Sequence, residues 1–141
     1  MANPTVVSIF EEMDKTKSRK AKIDILRYHR QNPVLIPMLK LTFDENITWD
    51  LPEGSPPYKK QDDLLENDNG LYREWRKLYI FVNTSKKPEM SSVKREKLFI
   101  EMLESILPEE AELVIAVKDK KLPYKGITRK LVEEALPGIL R

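Results

Sequence analysis

The hydrophobic positions of this chain recur at helical spacing and predict short amphipathic helices separated by proline-marked turns. The first helix opens at Pro4 and Thr5, and the second begins near Ser18. Asn32 and Pro33 predict the start of a third, nearly all-apolar helix, because proline is favoured at the first helical position. The inward-facing side chains of these helices are Val6, Ile9, Phe10, Met13, Ile23, Ile25, Leu26, Val34, Leu35, Met38, Leu39 and Phe43.

The second half of the chain continues this pattern. Residues 71–82 are predicted to form one helix, and Ser91 or Ser92 caps the helix that follows it. Pro108, followed by glutamates, opens the next helix after that. The apolar run over residues 111–117 predicts deep burial, and Thr128 caps the last helix. The predicted fold is all-α: a single compact domain of about six or seven helices spanning residues 1–141. Its remaining inward positions are Leu71, Trp75, Leu78, Tyr79, Val82, Val93, Leu98, Phe99, Met102, Leu103, Ile106, Leu131, Val132 and Ala135.

Residues 44–69 break the helical periodicity. This proline-rich segment carries eight acidic residues against Lys59 and Lys60. Loops longer than about 12–15 residues in a compact domain are usually functional or disordered. Trp49 and Tyr58 could pin the loop to the surface or contact a partner, and we favour a structural excursion over a recognition lid.

The composition excludes several chemistries. Hydrophobic residues make up 40% of the chain and charged residues 34%, which is typical of a globular protein. The absence of cysteine excludes disulfides and thiolate sites, and His29 is the only histidine. Phosphate-loop, dinucleotide-binding and zinc-protease motifs are absent, so we expect no enzyme activity, no metal and no cofactor. We see no export signal or membrane span and expect a cytoplasmic protein.

Charge is distributed unevenly although the net charge is only +2. Residues 118–130, the basic turn, hold six cations against Asp119. Gly126 and Thr128 place this turn at the start of the last helix, where free backbone N–H groups can bind an anion. By charge alone, a phosphate contact and a solvated loop are equally good interpretations. The candidate contacts are Lys118, Lys120, Lys121, Lys125, Gly126, Thr128, Arg129 and Lys130.

A second basic segment covers residues 15–30, with seven cations against Asp24. The pI of about 8.7 does not by itself indicate a nucleic-acid binder, since such domains usually exceed 9. The candidate second surface consists of Lys15, Lys17, Arg19, Lys20 and Lys22.

The C-terminal quarter resembles the end of the all-helical N-terminal DNA-binding domain of ATP-dependent DNA ligases of the T-even phage type. The resemblance rests on residues 110–122, on residues 125–128, and on residues 136–140 with the sequence Leu-Pro-Gly-Ile-Leu. Residues 9–13, 15–26 and 34–43 are similar to that domain's opening helices. The resemblance implies a helical fold and DNA-backbone contacts at Lys125, Gly126 and Thr128. It implies no catalysis, because the K-x-D-G adenylation motif is absent.

Two functions therefore remain open. The first is a stand-alone, non-catalytic phage accessory protein that contacts the DNA backbone, on duplex rather than single-stranded DNA, in the host cytoplasm. The alternative is a protein-binding adaptor that modulates host RNA polymerase or replication machinery through the acidic loop with Trp49 and Tyr58.

Overall fold

Seven α-helices and one 3₁₀ helix make up a computed structural model that describes residues 5–59, 70–83 and 90–140. No strand occurs in these residues, so the all-α prediction is confirmed. The α-helices are α1 Val6–Lys15, α2 Arg19–Tyr28, α3 Leu35–Phe43, α4 Gly70–Glu74, α5 Ser92–Glu104, α6 Pro108–Lys118 and α7 Arg129–Ala135, and the 3₁₀ helix is Trp75–Phe81.

Four helices begin at hydroxyl side chains. The hydroxyls of Thr5, Ser18, Ser91 and Thr128 each accept a hydrogen bond from the backbone N–H three residues later. Such a cap satisfies one of the unpaired donors of the first turn and contributes about 1 kcal/mol. The predicted starts of α1, α2, α5 and α7 are therefore confirmed, with Ser91 as the cap of α5.

The core is one continuous cluster to which α1, α2, α3, α5, α6 and α7 all contribute. The helix α6 packs against α1, α3 and α5. The predicted deep burial of its apolar run holds for Ala111, Leu113, Val114 and Val117, whereas Ile115 and Ala116 are only partly buried. The helix α7 packs chiefly on α2. This contact brings the C-terminal part of the chain back to the N-terminal basic segment.

The short helix α4 is joined to α6 through a buried carboxylate. Glu110 accepts the N–H of Leu107 at 3.1 Å at the start of α6 and the N–H of Leu71 at 3.3 Å in α4. Gly70 packs so closely on Ile106 that an added Cβ would lie 3.1 Å from its Cα. A glycine therefore allows α4 to approach the junction between α5 and α6.

The prediction of one α-helix over residues 71–82 is wrong in part, because α4 gives way to the 3₁₀ helix at Trp75. Side chains three residues apart share a face in a 3₁₀ helix, and Leu78 and Phe81 are accordingly both buried. Tyr79 and Trp75 are only half-buried and meet edge to face with ring centroids 6.2 Å apart.

Two further sequence assignments differ. The helix α3 begins at Leu35, with Val34 as its N-cap, although the Asn32 side chain still accepts the N–H of Val34 at 2.9 Å. Val93, predicted to face the core, is 75% exposed because it lies in the first turn of α5, beyond the edge of the packed surface.

No helix of the described residues is long and apolar enough to cross a membrane.

We expect the core of α5 to be sensitive to truncation. Leu103→Ala should lower the free energy of unfolding by about 2–5 kcal/mol, because Leu103 is fully buried and its loss leaves a cavity. Val93→Ala on the same helix is the control and should leave stability nearly unchanged. Urea denaturation followed by circular dichroism measures both, and equal losses would contradict the observed burial.

Candidate nucleic-acid interface

The basic turn begins with a lysine that does not face solvent. Only 2% of the Lys118 side chain is exposed. Its Nζ donates to the backbone oxygen of Pro52 at 2.8 Å and lies 2.5 Å from Oδ1 of Asp119. Lys118 is therefore removed from the predicted phosphate contacts, because its ammonium is buried under the proline-rich loop.

Lys120 also binds the proline-rich loop. It adopts a left-handed backbone conformation with φ of 56° and closes α6 in a Schellman motif, in which the N–H of Lys121 donates to the oxygen of Ala116 at 3.0 Å. The Lys120 Nζ donates to the backbone oxygens of Asp44, at 2.8 Å, and of Ile47. Burial lowers the pKa of Lys120, against the opposing effect of Asp44 and Glu45. Lys120 is thus engaged inside the molecule and is not an open phosphate contact.

Three more charged groups of the turn and of α7 bind the same stretch. The exposed Lys121 lies 2.9 Å from Glu53, and this hydrogen bond raises the pKa of Lys121. The carboxylate of Asp119 accepts the N–H of Gly54 at 3.1 Å. Arg129 donates to the backbone oxygen of Phe43 and to Glu133. Four of the six cations of the basic turn, together with Asp119, therefore hold residues 43–54.

The described part of the acidic loop, residues 44–59, is irregular and fixed to the core. The indole of Trp49 is half-buried and donates to the backbone oxygen of Leu41 at 3.3 Å. Tyr58 also packs against the core, and the N–H of Lys59 donates to Glu104 at 2.8 Å. Both candidate partner aromatics thus face inward. Residues 60–69 of the predicted loop lie outside the described residues.

The second basic segment lies beside the second half of the basic turn. Lys22 of α2 crosses Gly126, where an added Cβ would lie 2.1 Å from the lysine Nζ. Arg19 pairs with Glu134 of α7 at 2.6 Å, and Arg27 donates to the backbone oxygen of Ala135 at 3.0 Å. The two basic segments are about 100 positions apart in the sequence, and the packing of α7 on α2 brings them together.

The predicted anion site at the start of α7 receives little support. The helix has only seven residues, so its dipole is small, and the Thr128 hydroxyl already accepts the N–H of Leu131 at 3.2 Å. Any phosphate contact here rests on lysine ammonium groups.

Six lysines of the two basic segments remain available. Five are exposed and Lys22 is half-buried, and none forms an ion pair or side-chain hydrogen bond with the described residues. Acidic residues form the border of this area near Tyr124. Burial raises the pKa of Tyr124, and the nearby Glu11, Asp14 and Glu112 raise it further. We call the six the lysine surface, and its members are Lys15, Lys17, Lys20, Lys22, Lys125 and Lys130.

The described residues contain no group of three or more histidine, aspartate or glutamate side chains that could hold a metal ion. His29 caps the C-terminal end of α2. Its ring meets that of Tyr28 edge to face, with centroids 4.9 Å apart.

A model of DUF6433, a family of unknown function, matches residues 9–124. Because the match covers most of the chain, the protein belongs to this family. The matched range contains four members of the lysine surface, and Lys125 and Lys130 follow it. No curated protein matches the chain. The resemblance to DNA ligase domains stays a prediction.

The contacts of Lys118 predict a structural role. Lys118→Met should lower the free energy of unfolding by about 1–3 kcal/mol, because the Pro52 carbonyl and the Asp119 carboxylate lose a buried donor. Lys121→Met, on the exposed pair with Glu53, is the control and should change stability little. Thermal and urea unfolding compare the two, and the assignment fails if both variants lose the same stability.

Proposed function

We propose that this DUF6433 member is a non-catalytic DNA-binding protein whose lysine surface contacts the phosphate backbone. The observation that carries the proposal is the packing of Lys22 over Gly126. This contact joins the cations of the α1–α2 region to those of the turn before α7. The resulting surface contains six lysines. Either segment alone has fewer once the cations that are bound within the molecule are excluded.

The chemistry of the lysine surface suits phosphates better than bases. Ammonium groups on flexible side chains act as point charges, and contacts to phosphate position a protein without reading sequence. Duplex DNA carries one charge per about 1.7 Å of helix axis, so a patch of lysines meets several phosphates at once. We therefore favour duplex over single-stranded DNA for the backbone contact, without sequence preference. The resemblance to ligase DNA-binding domains favours the same class of ligand.

The internal pairs give this surface its shape. Arg19 pairs with Glu134 of α7, and Arg129 of α7 donates to the backbone oxygen of Phe43, so these two arginines help to hold α7 in place. The six lysines form no ion pair with the described residues and are left as the accessible charges. Their positions depend on the α2–α7 contact, which is part of the hydrophobic core through Leu131 and Val132.

The adaptor alternative has less support. It assigned recognition to Trp49 and Tyr58, and both side chains pack against the core. The acidic groups near them are also in part occupied, since Glu53 pairs with Lys121. A role toward host RNA polymerase or replication proteins remains the second proposal, and no described surface favours it over DNA.

The proposal is tested by a salt titration of duplex binding. The observed association constant should fall with salt, with a log–log slope of roughly −0.9 for each phosphate neutralised and a limit of about −5 if all six lysines engage. Fluorescence anisotropy with labelled duplex of unrelated sequences measures the slope. Absence of binding at about 50 mM salt would overturn the proposal.

Neutralising the junction of the two segments should weaken binding. The double variant Lys22→Gln with Lys125→Gln should make the salt slope shallower by about 2, because two phosphate contacts are lost. Lys94→Gln with Lys97→Gln removes the same charge from the exposed side of α5 and is the matched control. Equal weakening by both pairs would show that net charge, and not the lysine surface, governs binding.

A further inference from the structure

Tyr28 is the most exposed large hydrophobic side chain of the described residues, with 84% of its surface accessible. It is the last residue of α2 and lies outside the core cluster. Its only described ring contact is with His29, and the two ring planes meet at 85°. The ring is thus oriented by a neighbour but remains open to a ligand.

The position of Tyr28 relates it to the lysine surface. Residues 20, 24 and 28 are spaced by four and lie on the same outward side of α2. The helical rise places Lys20 and Tyr28 about 12 Å apart along the axis. Arg30, just beyond the helix, is exposed, whereas Arg27 reaches back to the C-terminal end of α7. An exposed ring therefore lies at the end of a helix whose first turn carries phosphate-binding candidates.

Asp24 lies between Lys20 and Tyr28 on this side of α2 and is exposed. Its carboxylate repels a phosphate, so a DNA backbone held at Lys20 is disfavoured from continuing straight along the helix to Tyr28. An uncharged base is not repelled in this way. The arrangement thus separates a place for the backbone from a place for a base.

An aromatic ring can stack on a base only when the base is free of its own neighbours. Bases within a duplex are already stacked on both faces, whereas unpaired bases present a free face to tyrosine or tryptophan. Stacking of this kind tolerates any base, which agrees with a surface that does not read sequence.

We propose that Tyr28 is a stacking platform for an unpaired base, and that the preferred ligand of the lysine surface is DNA in which a duplex adjoins a single strand. The inference rests on the proposed DNA-binding function and names the ligand class of the same surface. The lysines hold the phosphates, and Tyr28 adds a contact that a blunt duplex cannot make.

The test compares three DNAs with the full chain at one salt concentration: a blunt duplex, the same duplex with a short single-stranded extension, and the same duplex with an abasic extension. The abasic extension supplies the added phosphates without bases. We expect the base-bearing extension to bind about tenfold tighter than the abasic one. Tyr28→Ala should remove this difference, and Tyr28→Phe should keep it because the ring remains.

Tyr72→Ala is the matched control, since Tyr72 is the other markedly exposed tyrosine of the described residues and lies on α4. It should leave the tenfold difference intact. Thermal unfolding checks that each variant is folded, which the exposure of both side chains favours.

The outcomes separate the two proposals. Salt-dependent duplex binding with equal affinity for the two extensions, or a difference that survives Tyr28→Ala, overturns the stacking platform alone. No binding to any of the three DNAs overturns the DNA-binding function and the platform with it.

Discussion

The fold depends on how an irregular loop satisfies its backbone groups beside a hydrophobic core. Partly buried carbonyls need donors. Residues 44–54 belong to no helix, and Phe43 is the last residue of α3, where the carbonyl has no donor within the helix. The ammonium groups of Lys118 and Lys120 and the guanidinium of Arg129 provide these donors. The cations that look like a ligand site in the sequence are thus, in part, the supports of the loop.

The backbone of Lys120 reflects the same requirement. The residue after a helix C-cap in a Schellman motif is usually glycine, because other residues resist a positive φ. This chain places a lysine there, and the conformation directs its side chain to the carbonyls of Asp44 and Ile47. The local cost of the left-handed conformation is offset by two hydrogen bonds that close the loop over α6.

Cations that are bound within the molecule are not available to a phosphate, so they must be left out when the charge of the surface is counted. A count of charges along residues 118–130 suggests one strong phosphate site, yet three of the six cations bind backbone oxygens and Lys121 binds Glu53. The accessible charge shifts toward α2, where Lys22 meets Gly126. The proposed interface is therefore a product of the α2–α7 contact, and the exposed Tyr28 is the proposed means by which it distinguishes DNA structures.

Local pattern was enough to determine the helices and most of the core. Thr5, Ser18 and Thr128 marked helix starts, and the apolar positions of α1 and α7 are buried, because capping and periodicity act within a few residues. Tertiary structure alone decided the 3₁₀ geometry after α4, the exposure of Val93 and the identity of the free lysines. The reason is distance along the chain: Lys118 is paired with a carbonyl 66 positions away, and Arg129 with one 86 positions away. Whether a charge is solvated or consumed by such a contact is a property of the folded chain.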